Sequence, residues 1–217
     1  MLEQMGEFFD RRLEGYEEHQ LTAIAGAAQF YPYTADCLPA GEGAQLLDLG
    51  CGTGLELNYY FARNPSAQVT CIDLAPGMLA ALREKFAGRA ITAVQGSYFE
   101  LPLGEARYDA AVSVESLHHF TMEKKIPLYQ KLARALKDGG YLILTDYFAP
   151  SEQEEARLFA ELARLRAEQG IADDAFYHFD TPLTVEHEMQ ALELAGFSSV
   201  ELLRRWEGDT RTIRAWK

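Results

Sequence analysis

The chain has 217 residues, 48% of them apolar and 24% charged, so it can bury one sizeable core; it is too short for two full domains and too apolar to be disordered. A net charge of −13 repels polyanions, and the densest basic stretch (Arg204, Arg205, Arg211, Arg214, Lys217) is interrupted by acids, so nucleic-acid binding is not expected as the main role. No apolar run reaches the ~18 residues of a membrane span, MLEQMGEFFD lacks the features of a signal peptide, and Cys37, Cys51 and Cys71 lack CxxC spacing, which together predict a cytoplasmic protein with neither a disulfide framework nor a zinc knuckle.

In chain order, residues 1 to 29 carry Leu2, Met5, Phe9, Leu13, Tyr16, Leu21, Ile24 and Ala28 near helical spacing, with Gly6 and Gly15 as expected breaks. FYPYTADCLPAGEG (30–43) is rich in Pro and Gly and predicts a connector. From there apolar runs at 45–49, 68–73, 90–95, 108–114 and 140–148 alternate with helical patterns at 54–64, 76–87 and 121–137. Pro127 either kinks the last of these helices or starts its main body. Strand–helix alternation with short connections implies a parallel sheet covered on both faces, and the nearly continuous apolarity of the strands agrees.

Beyond residue 150, Ser151 and Glu154 form a capping box for a helix reaching about residue 169, with Leu158, Leu162 and Leu165 as its buried stripe. GIADDAFYHFDTP (170–182) reads as an aromatic-rich loop. Residues 184–195 read as a helix capped by Thr184 and stopped by Gly196. SVELLRRW and TRTIRAW flank Glu207-Gly208-Asp209 as an antiparallel hairpin at the sheet edge.

DLGCGTG (48–54) lies at the carboxyl end of the first alternating strand, before a helix. Glycines there let the backbone turn tightly and let a ligand approach without meeting a Cβ, on the edge where open α/β sheets bind ligands. A dinucleotide fingerprint would be GxGxxG, and a P-loop would need a Lys that is missing here. Asp48, two residues before Gly50, would repel phosphates and suits a cationic ligand.

DLGCGTG resembles the first motif of class I S-adenosylmethionine-dependent methyltransferases, and further segments resemble that family in order: CID ending at Asp73, LAPGMLAALREK (74–85), VQGSYFELPL (94–103), YDAAVSVESLHHF (108–120) and LARALKDGGYLILTDY (132–147). The resemblance covers residues 44–148 well and the hairpin loosely. It implies a three-layer Rossmann-like α/β fold with a seven-stranded, mostly parallel sheet and an antiparallel C-terminal hairpin. The domain plan is a helical N-terminal cap and connector (1–43), a cofactor-binding core (44–148), a helical cover (149–196) and an edge hairpin (197–217).

The resemblance also implies roles. Gly50, Gly52 and Gly54 would cradle S-adenosylmethionine, Asp48 would balance its ammonium, and Asp73 would accept both ribose hydroxyls. Leu74 and Met78 would line the adenine region. Ser97 stands where the family often has Asp, so the adenine contact is expected to move to backbone or to Tyr98. Glu115 through His119 would lie beside the methyl group, with His118 or His119 as base or substrate ligand; a structural capping role is the competing reading. Tyr16, on the N-terminal helix beside His19, could face the sulfonium as a cation–π partner or be a core residue. Tyr147, beside Asp146 at the end of the fifth strand, and Tyr177 and His178 in the aromatic loop are candidate substrate contacts; the loop aromatics could instead pack the insert helices together. Cys51 reads as a small apolar loop residue. A metal centre of His118, His119, His178 and Asp180 would need the fold to join distant segments, which a sequence cannot show, so no metal is assigned.

The expected function is methyl transfer from S-adenosylmethionine to a small-molecule nucleophile, by a monomer or homodimer. The competing readings are an enzyme that uses the cofactor without methylating and a cofactor-binding regulator without turnover; a nicotinamide enzyme is the weakest rival.

Overall fold

The computed structural model describes residues 1–172 and 175–217. Three short helices, α1 (Met5–Asp10), α2 (Tyr16–Ala23) and α3 (Ala27–Asp36), precede an alternating core. The core runs β1 (Gln45–Leu49), α4 (Leu55–Arg63), β2 (Gln68–Asp73), α5 (Pro76–Lys85), β3 (Ala90–Gln95), β4 (Tyr108–Val114), α6 (Met122–Ala135) and β5 (Leu136–Tyr147). Then come α7 (Glu152–Gln169), α8 (Val185–Leu194) and the hairpin β6 (Ser199–Arg205) and β7 (Thr210–Trp216). The sheet order is β3-β2-β1-β4-β5-β7-β6, with β1 to β5 mutually parallel and β7 antiparallel to both its neighbours. The expected seven-stranded Rossmann-like architecture with its antiparallel hairpin is therefore present.

Side chains alternate between two cores, as strand geometry requires. Leu142 and Leu144 face the side packed by α6 and α8, while Ile143 between them faces the side packed by α3 and α4. Leu46 and Leu47, and Ala110 and Ala111, divide the same way. Because β1, β2, β4 and β5 run parallel, their carboxyl ends at Leu49, Asp73, Val114 and Tyr147 share one edge, and the loops that follow them meet there.

The helix signals are mostly realised. Thr121, Ser151 and Thr184 each accept the backbone N–H three residues on, the bonding expected of N-caps. The capping box at Ser151 is half formed, because the Glu154 carboxylate pairs with Arg157. Gly15 breaks the N-terminal pattern as expected, at φ 78°, whereas Gly6 lies inside α1. Pro127 sits in the interior of α6.

Three expectations need correction. Residues 30–36 are not connector but belong to α3, with Pro32 in its interior. A helical proline costs roughly 3 kcal/mol, and the helix forms because Phe30, Tyr31, Thr34 and Ala35 are buried beside α4. The stripe Leu158, Leu162 and Leu165 is only half-buried, since α7 lies over the outside of the molecule with none of its residues fully covered. Strand β5 begins at Leu136, because the chain leaves α6 directly into pairing with Tyr108.

The N-terminal segment crosses the carboxyl edge of the sheet. Met5 N donates to Phe176 O (3.0 Å) and His178 N to Glu3 O (3.0 Å), which ties the segment to the loop after α7. At the other end of α1, Asp10 Oδ1 accepts from Gly77 N (2.8 Å) at the start of α5.

Candidate active site

The glycine loop is held against β2, since Gly50 N and Cys51 N both donate to Ile72 O (2.8 and 3.2 Å). Gly50 has φ 71°, and a Cβ there would collide with the Ser116 side chain, 2.6 Å from its Cβ. Gly52 has φ 49°, and a Cβ on it would sit 3.4 Å from Tyr16 Oη. Gly54 is different. A Cβ there would press Leu82 and Phe86 at 3.0 Å, so it serves the close approach of α4 to α5 and does not line the cavity.

Asp73, at the end of β2, accepts Gly52 N through Oδ2 and Ala75 N through Oδ1, both at 2.8 Å. Burial raises its pKa, partly offset by those backbone donors. Asp48 lies deeper, fully enclosed against Glu56 of α4. Burial and the neighbouring Glu56 push the Asp48 carboxyl well above the ordinary range, and burial raises Glu56 too. Among the described residues, Asp48 Oδ2 and Glu56 Oε1 have no hydrogen-bond partner. Two buried acids sharing a site oppose each other's ionisation. Glu56 is a residue the sequence reasoning missed; its only signal was an acid two places beyond Gly54.

Gly50, Gly52, Asp73, Leu74, Met78 and Tyr98 line a narrow cavity of about 50 Å³, roofed by Met5, Phe9 and Tyr16 from the N-terminal segment. Tyr98 Oη lies 3.3 Å from Ser116 Oγ. Ser97 does not reach this cavity. Its Oγ accepts Phe99 N (3.2 Å), and the loop it tightens is held again by Lys131 Nζ, which donates to the carbonyls of Tyr98, Phe99 and Leu101 at 2.6, 2.9 and 2.8 Å.

A much larger cleft of about 940 Å³ adjoins it. Phe9, Tyr16, Glu115 and His119 line both spaces, so any group passing between them passes these four side chains. Glu115 follows β4 with φ 50°, a strained value for a non-glycine residue and one typical of functional positions. Its Oε1 accepts from Thr210 Oγ1 (3.2 Å), and burial followed by the Asp146 charge pushes its pKa up to about 8.

His118 and His119 lie in a 3₁₀ turn (Leu117–His119) just beyond it. Asp146 Oδ2 accepts Leu117 N (2.8 Å), and its Oδ1 is 2.5 Å from His118 Nδ1 and 2.9 Å from Tyr147 N. Burial would lower the His118 pKa, but Asp146 and then Asp180 outweigh it, so the ring stays protonated well above the ordinary range. Burial and the His118 charge lower the His119 pKa instead, leaving that imidazole neutral at pH 7. The pair predicted to share one role is thus divided: a cationic ring anchored to Asp146 and a neutral ring at the boundary of the two spaces.

Tyr147 and His178 line the cleft as expected. Tyr177 does not; its backbone pairs with Gln4 and closes the strap across the N-terminus, because neighbouring residues of an extended segment point to opposite sides. The cleft also recruits Phe8, Arg11, Arg12, Arg157 and Asp180, which sequence reasoning did not assign to substrate. They come from α1, α7 and the loop after α7, segments joined only in the folded chain.

A family model described as a methyltransferase domain matches residues 46–140. The chain is 30% identical over 185 residues to an uncharacterized methyltransferase of Geobacillus kaustophilus (strain HTA426), covering 85% of this chain and 82% of that one. Among solved structures it superposes with TM-score 0.74 on a putative O-methyltransferase from Nostoc punctiforme PCC 73102, at 21% identity over 99% of this chain and 61% of that one. It superposes with TM-score 0.67 on human N-acetylserotonin methyltransferase in complex with SAM, at 18% identity over 98% of this chain and 56% of that one.

Proposed function

This chain belongs to the methyltransferase-domain family as a class I S-adenosylmethionine-dependent methyltransferase, and from that premise we propose that it methylates a small-molecule nucleophile held in the 940 Å³ cleft. The observation that carries the reading is the shared wall of Phe9, Tyr16, Glu115 and His119 between cavity and cleft. A cleft of this size falls within the range of small-molecule sites. The net charge of −13 argues against a nucleic-acid strand.

The residues present suit the cofactor, provided the roof of Met5, Phe9 and Tyr16 moves to open the 50 Å³ cavity. Asp48 and Glu56 line neither space, so their orphaned oxygens would meet an ammonium group through water or after a shift of the glycine loop. Asp73 keeps lone pairs beyond those used by Gly52 and Ala75, enough for two ribose hydroxyls. Leu74, Met78 and Tyr98 offer apolar and aromatic surface to adenine. Gly50 and Gly52 carry no Cβ, and the space beside them is taken by Ser116 and Tyr16, the side chains that would yield to a ligand approaching the loop.

When bound, the cofactor supplies an electrophilic methyl on a sulfonium, so the protein's task is orientation, desolvation and removal of the acceptor's proton. Glu115 stands at the crossing point as a carboxyl that a sulfonium would draw into its charged form. His119, neutral and on the same wall, is the proton acceptor; His118, held cationic by Asp146, positions the turn.

The test is to incubate the protein with S-adenosylmethionine and a panel of small hydroxy, amino and thiol compounds, and to quantify S-adenosylhomocysteine. Oxygen nucleophiles come first, since the Nostoc structure is titled a putative O-methyltransferase. Turnover with a small acceptor supports the reading. Labelled methyl appearing only in protein or RNA of a cell extract would replace it.

A further inference from the structure

Three imidazoles from two distant segments approach one Asp180 oxygen at the cleft wall. Asp180 Oδ1 lies 3.2 Å from His119 Nδ1, 3.5 Å from His118 Nε2 and 3.8 Å from His178 Nε2. Ligand atoms held about 2.0–2.2 Å from a tetrahedral ion are separated by roughly 3.4 Å, so these spacings are those of neighbouring vertices around one metal. The His118, His119 and Asp180 ligand atoms also all lie within 4.8 Å of one another. We propose that His118 Nε2, His119 Nδ1 and Asp180 Oδ1 bind a divalent first-row transition-metal ion, leaving its remaining coordination positions to solvent or acceptor.

The surroundings support the donor set. His118 gives its other nitrogen, Nδ1, to the buried Asp146 at 2.5 Å, the carboxylate–histidine arrangement that fixes a ligating ring and aims Nε2 outward, where the metal would replace the proton that Nε2 shares with Asp180 in the metal-free protein. Asp146 is itself fixed by the backbone N–H groups of Leu117 and Tyr147. The Phe179 carbonyl lies 3.3 Å from His119 Nδ1 and would accept a proton carried there, so the metal must displace that proton and turn the Nδ1 lone pair toward Asp180. All three ligands line the cleft, and the Asp180 side chain is half-exposed to it, so open coordination positions face the space where the acceptor is proposed to bind.

Imidazole-rich sites with one carboxylate suit zinc, iron, nickel or copper and not magnesium or calcium, which prefer all-oxygen shells. Such an ion would orient an acceptor oxygen and lower its pKa, taking over the task assigned above to His119. The metal reading therefore builds on the methyltransferase reading, but its test does not use methyl transfer.

The full-length chain, stripped with EDTA, is titrated with Zn²⁺ by calorimetry and with Co²⁺ by visible absorption. The expected result is one ion per chain at micromolar affinity or tighter, with a Co²⁺ spectrum of nitrogen and oxygen ligation. Asp180→Asn should weaken binding about 100-fold and Asp146→Asn about 10- to 100-fold, while both keep wild-type affinity for S-adenosylhomocysteine, which shows that they fold. No one-to-one binding, or equal affinity in wild type, Asp180→Asn and His119→Ala, would overturn the site. If S-adenosylhomocysteine fails to bind while Zn²⁺ binds, the cofactor reading falls and the metal site stands.

Discussion

The floor and the cover of this active site are built on different principles. The floor comes from residues 44–115, where each functional group follows the carboxyl end of a parallel strand: the glycine loop after β1, Asp73 on β2, Glu115 after β4. The backbone fixes it, through Gly50 N and Cys51 N on Ile72 O and Gly52 N on Asp73. The cover comes from α1, α2, α7 and the loop after α7, segments that meet through side chains and a few strap hydrogen bonds such as Met5 to Phe176. A floor made of local motifs can serve one cofactor for many acceptors, while a cover made of distant side chains can be rebuilt for each. Substitutions in the floor should therefore move cofactor affinity, and substitutions in the cover should move turnover.

The sharpest separation is expected at His119, which touches both. His119→Ala should lower kcat about 10²- to 10⁴-fold, the span usual for loss of a proton acceptor, with the S-adenosylhomocysteine Kd within about 3-fold of wild type. Steady-state kinetics and calorimetry on the same preparation would check it. A parallel loss of cofactor affinity would move His119 from the cover to the floor.

Asp73→Ala is the opposite case. Loss of two charge-assisted ribose hydrogen bonds is worth about 3–4 kcal/mol, a Kd increase of roughly 10²- to 10³-fold. The variant also frees Gly52 N and Ala75 N, which the wild-type carboxylate holds. Calorimetric titration should show that loss, while the fold, judged by thermal melting, survives. Unchanged affinity would mean that the floor does not bind the ribose through β2.

The residues proposed for the floor were legible in the sequence because their requirements are local. Positive φ at Gly50 and Gly52 needs glycine, and an acid ending a strand can be seen in a string of letters. The sequence misjudged Gly54, whose missing Cβ serves helix packing, and it missed Glu56, whose meaning depends on facing Asp48 across the loop. The cover was mostly illegible for a physical reason. His178 reaches the Phe8 ring, which Arg12 covers from the same helix end, through a strap pairing Gln4 with Tyr177, 173 positions apart, and helical periodicity carries no record of such a contact. Residues 30–36 were misread in the same way: Pro32 signals a break locally, and burial against α4 overrides it.

A smaller, pH-dependent effect should tie Glu115 to the floor. Its pKa of about 8 in the cofactor-free protein means that it is protonated at pH 7. A sulfonium beside it favours the carboxylate, so binding should release a proton and affinity should rise as pH increases toward 8, then level off. The linked stability runs the other way. The folded carboxyl binds a proton that the unfolded one has already lost, so stability of the cofactor-free protein falls between about pH 5 and pH 8. Calorimetry in buffers of differing ionisation enthalpy, with EDTA present, measures the released proton directly. Glu115→Gln should abolish the release and flatten the affinity profile, a change of about 10-fold per pH unit at most. A wild-type profile that is flat from pH 6 to 9 would show that the sulfonium does not sit at this wall.

The smallest effect concerns adenine. Ser97 stands at a position where an acid was expected to bind the base, yet its Oγ accepts Phe99 N and the side chain does not reach the cavity. The strand-three loop is held chiefly by Lys131, whose ammonium donates to three of its carbonyls. Ser97→Ala therefore removes one of several ties and should change cofactor Kd by about 3-fold or less, since a single neutral hydrogen bond is worth roughly 1 kcal/mol or below. Tyr98→Ala removes a ring that lines the cavity and should cost more, about 10-fold. Comparing the two by calorimetry decides which residue replaces the missing acid. If Ser97→Ala proved the more damaging, the loop would have to rearrange when the cofactor enters and turn the serine toward adenine.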